Sequence, residues 1–333
     1  MLIISLLAFA LPAAAAPPGD TVWIAQSKPG IIAAVIDNGA DVTDWVQSND
    51  GRVWIVDETQ NFIKTGTSGT VWSTVGIPAA ATNPSDIAVA ADDSGAVVLA
   101  DNGTRAVYIT SDRGVNWSQL PAVPGTGAIQ DIAISPARAG TLLGREYAVA
   151  LADAAAGTAQ GGVYIIGATA SWAAVGAVGH ATLPGTVGNG DFMTVKFSPG
   201  YIGDRILVAT SANVTGNVGY WLLNTSTNAA LANYAPKNVI DLGPAADIGV
   251  AAAVKRIDVA LPTDFDPTST PVAYIGVGSV VPVVGDDVYR VTGTAAVDLN
   301  AVNPTGATAF LGVDSVGYAG TQSEGKLFAG YVS

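Results

Sequence analysis

The chain of 333 residues contains no cysteine. That excludes disulfides, thiolate zinc sites, iron–sulfur clusters and thiol catalysis. Histidine occurs once, as His180, inside the glycine-rich stretch Gly176–Gly190. One imidazole cannot build a multi-histidine metal centre, and any Ser-His-Asp triad would have to rest on it. It reads as an exposed loop residue. Basic residues are scarce: 14 Lys and Arg stand against 27 Asp and Glu, for a net charge of −13. They form no cluster, so a nucleic-acid partner is excluded. Missing too is any long stretch with a 3.6-residue apolar period. The one apolar run at a terminus, Met1–Ala16, is too short for a comfortable membrane span, so the mature chain is expected to carry none.

That run ends in small residues, and Ala14 and Ala16 satisfy an A-x-A cleavage pattern, although no Lys or Arg precedes it. Residues 1–16 are therefore expected to be a signal peptide and the protein to be exported, to the periplasm, the cell surface or the medium. Residues 17–40 read as a linker, with Thr21–Gln26 and Ile31–Ile36 as possible ring-closing strands. The remainder, 41–333, forms one repetitive domain.

Hydrophobic residues make up 49% of the chain, in short β-branched and aromatic runs punctuated by 39 Gly and 18 Pro. The expectation is an all-β fold. A first strand recurs as Asp44–Gln47, Asp86–Ala90, Asp131–Ser135, Thr194–Ser198, Asp258–Leu261 and Ser315–Ala319, and four of the six begin with Asp. A second follows at Val53–Asp57, Val97–Asp101, Tyr147–Asp153, Ile206–Ser211, Val272–Gly278 and Lys326–Val332. The third carries an aromatic: Phe62–Thr65, Val107–Thr110, Val163–Ile166, Gly219–Leu223 and Val288–Val291. A fourth is placed near Trp72, Trp117, Trp172, Leu231 and Val297. Four-stranded units of roughly 40–60 residues are the mark of β-propeller blades, which bury their faces only by stacking on neighbours. Five full units and half of a sixth are visible.

The stretch Val107–Trp117, VYITSDRGVNW, places Thr110, Asp112, Gly114 and Trp117 at the spacing [ST]-x-D-x-G-x-x-W. An Asp accepts backbone N–H groups in such a turn, Gly tolerates positive φ, and the indole packs the returning strand. This pattern resembles the Asp-box of sialidase-type (BNR-repeat) β-propellers of bacterial exported proteins. A degenerate copy keeps Thr65, Gly69 and Trp72, with Thr67 in place of the Asp; a fainter one ends at Trp172. The resemblance implies a propeller with these turns away from the active face. Such rings close with six or more blades, so a chain stopping at Ser333 is expected to be a fragment.

Catalytic residues of exo-sialidases do not carry over. The resemblance would require three substrate-binding arginines, a Tyr–Glu nucleophile pair and an Arg-Ile-Pro sequence. None of the eight arginines lies in that context, and after the second unit only Glu146 and Glu324 remain as the pair's base. No cofactor is expected, though Asp264 with Asp266, or Asp286 with Asp287, offers hard oxygen ligands for calcium. Trp45 and Trp54 lie on strands and are expected to be buried; Trp23 and Trp221 remain as carbohydrate-stacking candidates. The expected function is a non-catalytic binding or scaffold module for a protein or a glycan. Two alternatives stand beside it: a sialidase-like glycoside hydrolase, and an Asp-box assembly factor of a membrane complex.

Overall fold

The computed structural model describes residues 42–57, 62–66, 72–125, 127–152, 161–175, 191–212, 217–226, 238–241, 254–269, 271–279, 286–292, 295–301 and 312–331. Residues 1–41, and with them the leader, Trp23 and the two N-terminal strand candidates, lie outside the described residues, as do Thr67, Gly69, His180 and Leu231.

Five four-stranded antiparallel sheets follow one another along the chain. The first is β1 (Val42–Gln47), β2 (Val53–Asp57), β3 (Phe62–Gly66) and β4 (Ser73–Val75). The second is β5 (Pro84–Ala90), β6 (Asp93–Asp101), β7 (Ala106–Thr110) and β8 (Ser118–Gln119). The third is β9 (Ile129–Ile134), β10 (Tyr147–Leu151), β11 (Gly162–Ile166) and β12 (Ala173–Val175). The fourth is β13 (Asp191–Phe197), β14 (Ile206–Ala212), β15 (Asn217–Asn224) and β16 (Asn238–Asp241), with a one-turn helix α1 (Tyr201–Asp204) between its first two strands. The fifth is β17 (Val254–Ala260), β18 (Val272–Ser279), β19 (Val288–Thr292) and β20 (Ala295–Asp298). A two-stranded sheet, β21 (Val313–Ala319) with β22 (Lys326–Tyr331), completes the sequence. Among the described residues this is a β-propeller of five four-stranded blades, with β21–β22 as a further two-stranded sheet.

Blades two to five are apolar on both faces because each is covered twice. Five core clusters each span two adjacent blades: Trp54, Val56 and Ile63 meet Ile87, Leu99 and Tyr108, for example, and Ile275 and Tyr289 meet Val208 and Tyr220. The second strands β10, β14 and β18 are consequently buried at every position. Burying one such Val, Leu or Ile is worth about 1.5–3 kcal/mol. The indole N–H groups add a repeated lock: Trp117 Nε1 donates to the Gly76 carbonyl at 2.8 Å and Trp172 Nε1 to the Pro121 carbonyl at 2.8 Å. In each case the tryptophan reaches back to the residue just beyond the fourth strand of the preceding blade.

First strands begin two to four residues earlier than their aspartates suggest, because the residues ahead of each Asp are already paired. The described fourth strand of blade four is Asn238–Asp241. Trp54 is fully buried, but Trp45 is 51% exposed, contrary to expectation. Its side of β1 faces away from blade two, and among the described residues no core cluster joins blade one to β21–β22.

Candidate functional site: the central channel

The first strands β1, β5, β9, β13, β17 and β21 surround a cavity of about 750 Å³ at the axis of the ring. Each carries one bulge near its start, where one residue is skipped in the pairing with the second strand. The skipped residues are Thr43, Ser85, Gln130, Met193, Lys255 and Asp314, and all six line the cavity. A bulge re-aims a side chain out of the sheet's alternation. Here it does so once per blade, giving a ring of chemically different side chains. In an up-and-down blade the connection into the first strand and the connection from second to third strand lie at one end, the other two connections at the opposite end. The bulge ring therefore sits toward the end away from the turn at Asp112.

Deeper along the same strands lies a set of carboxylates. Asp44 accepts the backbone N–H of Trp45 at 2.8 Å and of Ile87, on blade two, at 2.8 Å. Asp131 accepts the N–H of Ile132 and of Val195, on blade four, each at 2.8 Å. Asp258 accepts the N–H of Val259 at 2.7 Å and of Val316, on the sixth sheet, at 2.9 Å. Three carboxylates thus satisfy the equivalent N–H of all six first strands, each stapling a blade to its successor. The repeated Asp noted in the sequence is this staple; what sequence reasoning missed is its alternation. Where Asp is absent, Thr194 instead donates to the Ile257 carbonyl.

Asp86 is the exception. The N–H groups it would serve are already taken, and its buried Oδ2 has no hydrogen-bond partner. Burial, and then the charges of Asp44 and Asp131, push its carboxyl well above the ordinary range. Burial likewise raises Asp44 to about 6, against the backbone N–H groups of Ile87 and Trp45, and Asp131 to about 8, against the charge of Lys196. Lys196 donates to Asp258 at 2.7 Å. Burial disfavours its charge, but Asp258 and Asp131 outweigh that and raise it. A cavity holding several perturbed carboxyls is a default candidate for a functional site. Most of these carboxyls, however, already serve the backbone.

At the opposite end, Thr110 Oγ1 donates to Asp112 Oδ1 at 2.7 Å, and Asp112 accepts the backbone N–H of Asn116 at 2.9 Å and its side-chain amide at 2.7 Å. These donors, the Asn116 N–H first, hold the Asp112 carboxyl at about 2. Gly114, with φ of 82°, donates its N–H to Thr110 Oγ1 at 3.1 Å. In blade one, Thr65 Oγ1 donates to the Val53 carbonyl at 3.0 Å, and Trp72 is partly buried.

A Tyr–Glu contact does exist. Tyr201 donates its hydroxyl to Glu146 at 3.0 Å, and Arg205 binds both oxygens of the same carboxylate at 2.7 and 2.9 Å, with Arg138 at 3.3 Å. It lies between first and second strands, at the Asp112 end and off the channel. Burial acts to raise the Glu146 carboxyl, but Arg205, Tyr201 and Arg138 bring it below its usual value; burial drives the Tyr201 hydroxyl up. Both directions oppose a nucleophile–base pair. The cluster joins blades three and four.

The remaining candidates serve local structure. Asp264 accepts the Gln322 N–H at 2.8 Å, Asp266 caps Thr268 and Ser269, Asp286 binds Ser279, and Asp287 accepts the N–H of Val288 and Ala301. Among the described residues no group of three or more His, Asp or Glu is placed to hold a metal ion. Trp221 is 6% exposed and donates to Ser211 at 2.8 Å, so it is a core residue and no stacking platform. No described helix is long and apolar enough to cross a membrane.

These features define a β-propeller with an axial channel. No protein-family model and no curated protein matches the chain. Among solved structures it is similar to an ancestral GH74 enzyme, with 14% identity over 89% of this chain and 35% of that one, at a TM-score of 0.56. It is also similar to a chain of the COPII outer coat vertex on membranes (8% identity, 88% and 70% covered, TM-score 0.51). YCF48 bound to D1 peptide matches at 13% identity over 89% and 77%, with a TM-score of 0.49. At these identities the likeness is one of fold alone.

Proposed function

We propose that this chain is a non-catalytic, exported Asp-box propeller that binds a protein or glycan ligand at the channel mouth. The bulge ring carries the reading. One residue per blade is turned into the channel (Thr43, Ser85, Gln130, Met193, Lys255, Asp314), and together these carry hydroxyl, amide, thioether, ammonium and carboxylate groups while the bulge that presents them repeats in every blade. Side chains that vary where the framework repeats suit recognition. The use of Asp44, Asp131 and Asp258 as backbone staples supports a binding role over general acid–base chemistry, which needs two opposed, unspent carboxyls.

The test is a glycan and peptide array probed with the full chain and with its Gln130→Ala/Lys255→Glu variant. Saturable binding that the variant loses supports the reading, and binding indifferent to the ring, or none, refutes it. A second reading, glycoside hydrolysis, is favoured by one observation: Asp86 is a cavity carboxyl with an oxygen not engaged in any hydrogen bond. Turnover of a fluorogenic sialoside would support that alternative.

A further inference from the structure

We infer that residues 21–36 of this same chain supply the third and fourth strands of the sixth blade. This stands apart from the ligand reading.

Three observations mark β21–β22 as the inner half of a blade whose outer half is absent among the described residues. Its first strand has the bulge, at Asp314, and receives the staple from Asp258 at Val316 as any other blade does. Its second strand is not buried: Phe328 is 53% exposed, and on blade one Trp45 is 51% exposed. The third is the indole rule. Trp117 and Trp172 each donate to a carbonyl just past the fourth strand of the preceding blade, whereas the buried Nε1 of Trp72, in blade one, has no partner. In a ring the blade preceding the first is the sixth.

The occupant follows from register. In blades two to five the residue after the staple position pairs with a second-strand residue, which pairs in turn with a buried aromatic of the third strand. The chains are Ile87–Leu99–Tyr108, Ile132–Val149–Tyr164, Val195–Ala209–Trp221 and Val259–Ile275–Tyr289. In blade six the chain runs Val316–Ala329 and lacks its aromatic. Val22-Trp23-Ile24 repeats the pattern of Val107-Tyr108-Ile109 and Val163-Tyr164-Ile165. It is followed by Ser27-Lys28-Pro29-Gly30, suited to a turn, and by the apolar run Ile31–Ile36. Trp23 then sits opposite Ala329, as Trp221 sits opposite Ala209, and Ile24 opposite Phe328. The residues after Ile36 lie where Trp72 needs a carbonyl. From Ile36 to Val42 the chain can reach about 20 Å, enough to cross the roughly 14 Å of three strand spacings from an outer to an inner strand. An exposed apolar edge at β22 would otherwise invite pairing with other chains.

Opposed residues of antiparallel strands lie at about 4.5–5.5 Å between Cα atoms, within disulfide range, and the chain has no cysteine of its own. The full-length Ile24→Cys/Phe328→Cys variant should form an intrachain disulfide in most monomers under mild oxidation, seen by peptide mapping, while Ile24→Cys/Val115→Cys should not. Reduced monomers, or disulfides between two chains, would overturn the inference. Should the variant fail to fold, amide exchange on the unmodified chain decides. Protection of every amide of Lys326–Tyr331 is expected, and rapid exchange of alternate amides contradicts it.

Discussion

The carboxylate of Asp44 accepts the backbone N–H of Ile87 at 2.8 Å across 43 positions of the chain, while its other oxygen holds the N–H of Trp45. One side chain thereby fixes the inner edges of two blades. Asp44→Ala strands both donors, and the loss falls mainly on the Ile87 N–H, whose residue is buried, at about 1–3 kcal/mol. Asp44→Asn, which keeps one acceptor oxygen, should lose about half as much. Urea unfolding at pH 7 measures both.

The raised carboxyls set the direction of the pH dependence. Asp44 at about 6, Asp131 at about 8 and Asp86 above its ordinary range hold protons that the unfolded chain, at 3.8, releases. Their contribution is full below about pH 4 and is lost as the pH rises through the folded values. Asp112 and Glu146, lowered in the fold, act oppositely and lose their contribution on acidification. Stability should peak near pH 5, with Tm at pH 9 lower by on the order of 5 °C. Asp131→Asn should flatten the alkaline side. A Tm that climbs from pH 5 to pH 9 would contradict this.

Glu146 is 2% exposed in its side chain and neutralises Arg205 at two oxygens. Glu146→Gln leaves a guanidinium without its counter-charge, and breaking one partner of a buried pair costs about 3–5 kcal/mol. Thermal unfolding should show that loss, together with a drop in the phenol pKa of Tyr201, which the Glu146 charge helps to raise.

Gly114 combines a φ of 82° with a site where an added Cβ would strike Val75 Cγ1. Gly114→Ala should cost about 2 kcal/mol, more than backbone strain alone. Trp117→Phe, which removes the indole donor to Gly76 and part of the ring packed against the core between blades one and two, should cost about 2–4 kcal/mol. Chemical denaturation of the two variants side by side checks both.

Strand periodicity and the recurring Asp made the blades legible in the sequence, because both arise from contacts repeated in every unit. The staples were half legible: the Asp of Asp44, Asp86, Asp131 and Asp258 was visible, but nothing local told Asp86 from its neighbours. That difference depends on which N–H groups other blades have already claimed. The bulge ring left no trace, since a skipped residue such as Gln130 or Lys255 reads as any strand residue until pairing is known. Glu146 and Arg205 meet across 59 positions, a distance no motif spans. Trp45 was misread for a related reason, because its burial depends on a strand partner far away in the chain.

Under the function proposed above, the channel carboxyls keep the ring together and the protein binds without catalysing. The most direct measurement is hydrolysis of a panel of fluorogenic glycosides, a sialoside among them, by the full chain and by Asp86→Asn. The prediction is no turnover above buffer for either protein. Turnover by the full chain that Asp86→Asn abolishes, with the fold intact, would contradict the account.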